Sequence, residues 1–77
     1  MTDPEDGIEL EVDVTVNGRE YSFPAFSTMA DLVERLGHVP DSIATAANGE
    51  FISRDRRSAY VLYFGDHVDL FQPIVGG

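Results

Sequence analysis

Few residues of this chain have types and spacing that bear on chemistry. They are Arg54, Arg56 and Arg57, two distant histidines, a surplus of carboxylates, and the glycine pair 76–77. Cysteine is absent, which excludes disulfides, thiolate metal sites and a cysteine nucleophile. His38 and His67 fall in no metal-binding spacing and read as surface or turn residues, because most metal sites need several donors. Glu9, Glu11 and Asp13 alternate with apolar residues, so they read as the wet face of a strand rather than as an acid–base pair. No Ser/His/Asp set or phosphate-cradling glycine loop appears. The arginine cluster reads first as a solvated loop pairing loosely with acids. Its second reading is capture of a phosphate or carboxylate on a partner.

The tail remains. Pro73 fixes φ and has no N–H to extend a ladder, so residues 73–77 are expected to project from a sheet. Five extended residues reach roughly 16–18 Å. Gly76 and Gly77 remove side-chain bulk and admit backbone geometries that other residues avoid. Such a segment can thread a narrow channel and present a carboxylate inside another protein's active site. A frayed end is the competing reading.

The elements that must position this tail are legible. The chain has 77 residues, 14 of them acidic against five arginines and no lysine, for a net charge of −9. One domain is the most that this length supports. The charge argues against nucleic acid and anionic membranes as partners. It suits either a basic docking surface or a salt-rich cytosol. No segment has the run of roughly 20 apolar residues that a membrane span needs. The acidic start lacks the regions of a signal peptide, so a cytoplasmic location is expected.

Residues 1–7 read as a disordered acidic lead-in, 8–72 as the folded domain and 73–77 as a flexible tail. Ile8, Leu10, Val12, Val14 and Val16 alternate with polar residues, predicting a strand with one face on a core. Asn17-Gly18 is a hairpin turn, and the return strand carries Tyr21 and Phe23 on one face up to Pro24. Thr28 and Asp31 form a near capping box. Met29, Leu32, Val33 and Leu36 then make one helical stripe, closed by Gly37 and Pro40. The stripe makes Met29 a core residue rather than a cofactor contact. Residues 43–47 predict a strand, Asn48-Gly49 a second hairpin turn, and 53–58 a polar loop. Residues 59–64 suit a short strand or one helical turn, and 67–72 the last strand. The fold class is α+β: a small mixed sheet with one helix on one face. Two apolar core-facing strands, the first and last, suit parallel neighbours in mid-sheet, the plan of a β-grasp (ubiquitin-like) domain.

The stretches VNGREYSFP (16–24), TMADLVERLG (28–37), ANGEFISR (47–54) and FGDHVDLFQPIVGG (64–77) together resemble the small β-grasp sulfur carriers, most of all the ThiS family. The likeness spans about residues 10–77. It lies in the order and spacing of two NG turns, the helix, an arginine, a GD turn and the final GG. The resemblance implies a carrier, not an enzyme. Its Gly77 is adenylated by a ThiF/MoeB-type activating enzyme that uses ATP, this chain binding no cofactor or metal. Sulfur transfer then gives a thiocarboxylate, which donates to thiazole synthase in thiamin synthesis. Gly76 is the penultimate glycine of the motif. Two further members of the superfamily have the same tail: ubiquitin-like modifiers of the small archaeal type, and MoaD-like small subunits of molybdopterin synthase. An interaction module with an inert tail is a fourth reading. A monomer is expected when free. Phe51, Ile52, Phe71 and Ile74 are candidates for docking near the tail, each equally readable as core.

Overall fold

The computed structural model describes residues 10–72. The lead-in 1–7 and the tail residues Ile74, Gly76 and Gly77 lie outside the described residues.

Strand β1 (Glu11–Val16) and strand β2 (Arg19–Pro24) form the first hairpin. Asn17 and Gly18 join them at φ 50° and 82°, the left-handed pair that a type I′ turn requires. Helix α1 (Met29–Arg35) follows. Thr28 caps it: the Asp31 amide donates to Thr28 Oγ1 (3.2 Å), and the Thr28 amide donates to Asp31 Oδ2 (2.9 Å). Met29, Leu32 and Val33 are buried, while Leu36, at the C-cap, packs partly buried against the core. Gly37, at φ 82°, ends the helix in a conformation that costs glycine little.

A 3-10 turn (Pro40–Ser42) leads to β3 (Ala44–Ala47), and Asn48-Gly49 turns the chain into β4 (Glu50–Ile52). Most of the stretch 53–58, expected as a polar loop, lies in a 3-10 turn (Arg54–Ala59). The ambiguous stretch 59–64 is mostly extended. Val61 bridges Thr28 in antiparallel fashion, Leu62 is buried, and a turn at Tyr63–Asp66 opens β5 (His67–Phe71).

The five-stranded sheet has the order β2-β1-β5-β3-β4. β1 and β5 are parallel neighbours, and every other pair is antiparallel. The core lies between α1 and one sheet face, where Val14, Val16, Phe23, Ile52, Val68 and Leu70 meet Met29, Leu32 and Val33. Leu10 departs from its expected role. It lies just outside β1 and is 69% exposed. Its carbonyl still accepts from Ala25, but β2 has ended at Pro24 and no strand continues beside it.

Candidate functional site

The site is built around β5, the strand that leads to the tail. It is central, with β1 parallel on one side and β3 antiparallel on the other. Its alternation is complete: Val68 and Leu70 are buried, and His67, Asp69 and Phe71 are exposed. The root of the tail thus hangs from the most enclosed strand of the sheet.

Two asparagines hold that strand at its ends. Asn17 Nδ2 donates to the Leu70 carbonyl (3.1 Å), and Asn17 Oδ1 accepts from the Leu70 amide (2.8 Å). Asn48 Oδ1 accepts from the His67 amide (3.0 Å), and the Asn48 amide donates to the His67 carbonyl (2.7 Å). The turn chemistry of both NG pairs is readable from sequence. Their side chains' grip on β5 is not, because it spans 53 residues in one case and 19 in the other.

Cross-strand register assigns the outer face, away from the helix. Phe51 lies opposite Ala46, Ala46 opposite Asp69, and Ala44 opposite Phe71. Directly opposed residues share a face. Phe51 and Phe71 therefore flank two small alanines on an open surface, 62% and 48% exposed. Ile52 is a correction. It pairs with Thr45 on the helix side and is 2% exposed, because alternation turns it inward when Phe51 turns outward. It belongs to the core and is unavailable for docking.

The arginine cluster divides three ways. Arg54 pairs with Asp41 at the surface. Arg56 is exposed, whereas Arg57 is 4% exposed. Its guanidinium donates to Thr45 Oγ1 (3.2 Å), the Pro40 carbonyl (3.0 Å) and the Ile43 carbonyl (2.5 Å). Burial, and then the positive charge of Arg54, lower its pKa from the usual value. Neither reading from sequence fits Arg57: it is a strut between the Pro40 turn and β3. Nothing in the RDRR run distinguishes it from Arg56.

A groove of about 350 Å³ opens between the β1–β2 turn and the end of α1, lined by Asn17, Arg19, Tyr21, Leu36, His38 and Leu70 among others. Among the described residues no group of three or more His, Cys, Asp or Glu could hold a metal ion, and no helix is long and apolar enough to cross a membrane.

A mixed sheet of this order, with one helix on one face, defines a ubiquitin-like β-grasp domain, here with its outer face open and its last strand central. The ThiS family model matches residues 14–77, and the chain belongs to the ThiS family. Among solved structures it is similar to the thiamine biosynthesis protein ThiS of Geobacter metallireducens. The crystal structure of that protein has a TM-score of 0.75 at 23% identity, covering 86% of this chain and 100% of the other. Its solution structure has a TM-score of 0.66 at 23% identity, with 86% and 88% coverage. A designed protein based on human erythrocytic ubiquitin has a TM-score of 0.53 at 20% identity, covering 91% and 98%. No curated protein matches the chain.

Proposed function

We propose that this protein is a sulfur carrier whose reacting group is the carboxylate of Gly77, acting in synthesis of the thiamin thiazole ring. Membership of the ThiS family carries the reading. The central place of β5 supports it, since a carrier needs a stiff root beneath a slender tail.

A carboxylate is a poor electrophile. In the proposed cycle a ThiF/MoeB-type enzyme lets a Gly77 oxygen attack the α-phosphorus of ATP, releasing pyrophosphate and leaving an acyl-adenylate. A sulfide equivalent then attacks the acyl carbon, AMP departs with the bridging oxygen, and a thiocarboxylate remains. On this reading the chemistry belongs to the activating enzyme rather than to the scaffold. Its part is to dock and to deliver. The outer-face patch of Phe51, Ala44, Ala46 and Phe71 suits an apolar docking surface, and Asp69 beside it suits a basic rim on the partner.

Mass spectrometry tests the reading, after incubation with the activating enzyme, ATP and a sulfur donor. The expected gain is replacement of one oxygen by sulfur, abolished by deleting Gly77. Isopeptides joining this tail to lysines of other proteins, with no thiocarboxylate formed, would instead establish a protein modifier.

A further inference from the structure

We infer that Asn17 is a positioning residue for the tail, acting through the backbone of Leu70. The inference rests on the reading of Gly77 as the reacting group.

β1 and β5 run parallel, with Val16 beside Val68. The Asn17 amide donates to the Val68 carbonyl (2.9 Å), and there β1 leaves the ladder for its hairpin turn. An ordinary parallel pair would lose its next bonds at this point. Asn17 replaces them with its side chain. One amide group supplies the acceptor for the Leu70 N–H and the donor for the Leu70 C=O, at 2.8 and 3.1 Å. A carboxamide has the same donor and acceptor as a peptide group, so the ladder continues by one step without a strand to carry it. On the other side of β5, the register with β3 extends to Ala44 opposite Phe71. The strand is therefore held from both sides here, by Asn17 at Leu70 and by β3 through the register at Asp69 and Phe71, three residues before Pro73. The Leu70 side chain is buried, which fixes its rotation as well.

The direction in which the tail leaves is set at this point. Loosening at Leu70 widens the range of positions open to whatever follows Gln72, and small misplacements of a reacting atom cost up to about a hundredfold in rate. The two-point hold removes that freedom. Asn48 is the internal comparison. Its side chain also bonds β5, accepting from the His67 amide, but at the end remote from the tail.

Asn17→Gly is the decisive variant, because Gly-Gly also satisfies a type I′ turn and the backbone bond to Val68 is retained. Asn48→Gly is its control. Order parameters and amide exchange at Leu70, Phe71 and Gln72 are read by NMR without any enzyme. Asn17→Gly should loosen these three positions, and Asn48→Gly should not. With the activating enzyme, Asn17→Gly should lower kcat for pyrophosphate release about tenfold or more with KM within twofold, whereas Asn48→Gly should leave kcat unchanged at comparable stability. Unaltered order at Leu70–Gln72 in Asn17→Gly overturns the inference, as does an equal fall in kcat for both variants. Failure of the underlying reading shows separately, as a wild-type chain that releases no pyrophosphate while the NMR contrast persists.

Discussion

Arg57 Nε donates to Thr45 Oγ1 over 3.2 Å, and the same Thr45 hydroxyl donates onward to the Ile52 carbonyl over 2.8 Å. Both residues are buried, Thr45 completely. The partners of the guanidinium among the described residues are all neutral oxygens. The relay ties the second 3-10 turn to β3 and β4 at once. Arg57→Ala deprives the buried Ile43 carbonyl of this partner and the buried Thr45 hydroxyl of its donor, each costing about 1–3 kcal/mol. A loss of about 3 kcal/mol is expected in urea unfolding, with Arg57→Lys falling in between because a single ammonium cannot span the three acceptors. A loss below about 1 kcal/mol for Arg57→Ala would show that the strut is dispensable.

Phe26 sits in an unfavourable conformation. It has φ 71° and is 81% exposed. The Ser27 amide donates to the Pro24 carbonyl (3.1 Å), so Phe26 occupies the third position of a tight turn, where a positive φ favours glycine. Relief of roughly 1–2 kcal/mol of left-handed strain exceeds the entropic cost of glycine, roughly 0.5–1 kcal/mol. Phe26→Gly should therefore raise the urea midpoint, by a gain of about 0.5–1 kcal/mol. A lowered midpoint would mean that the ring packs more than its exposure implies.

The capping box on α1 gives a coupled prediction. Thr28→Ala and Asp31→Ala each remove one of two reciprocal bonds, and each should cost about 1 kcal/mol. Because the bonds order the same turn, the double variant should lose less than the sum. Full additivity in a double-mutant cycle would show that the two bonds act separately.

Tyr60 should govern the alkaline limb of stability. Burial first, then the nearby Asp66 and Glu50 carboxylates, raise its pKa, with a hydrogen bond from Asn48 opposing them. Below the ordinary value of about 10 both folded and unfolded chains keep the proton, so stability does not depend on it there. Above that value the unfolded chain loses the proton first, binds fewer protons than the folded chain, and stability falls as pH rises. Tyr60→Phe should flatten this decline in urea midpoints measured from about pH 9 to 11. An identical slope in both proteins would assign it to other groups.

Docking through the outer face predicts the opposite kinetic pattern to Asn17. Phe71→Ala removes an exposed aromatic ring that the core does not use, so KM for the activating enzyme should rise about five- to tenfold, the typical cost of a truncated interface anchor, with kcat retained. Added salt should slow association further if the −9 charge steers the encounter. An unchanged KM would place the docking surface elsewhere.

Most of the architecture was legible because it is local. Period-two alternation from Val12 to Val16, the stripe Met29–Leu32–Val33, the Thr28 cap and both NG turns depend on residues within a few positions of one another. The central parallel pairing of β1 and β5 followed from the apolar faces of those strands. What failed to show were differences between like neighbours. Ile52 and Phe51 look equally apolar, yet the register with β3 sends one inward and the other to the surface. Arg56 and Arg57 look alike, yet the turn that carries them buries only the second.

Local sequence thus set the hairpins, the helix and the order of the strands, since turn preference and periodicity are properties of short segments. Tertiary structure alone decided that Asn17 and Asn48 grip the strand beneath the tail and that Arg57 is a strut. It also decided that Phe51 and Phe71 share an open face. Those relationships join residues far apart in the chain, and only the packing of the sheet brings their hydrogen-bonding groups within reach.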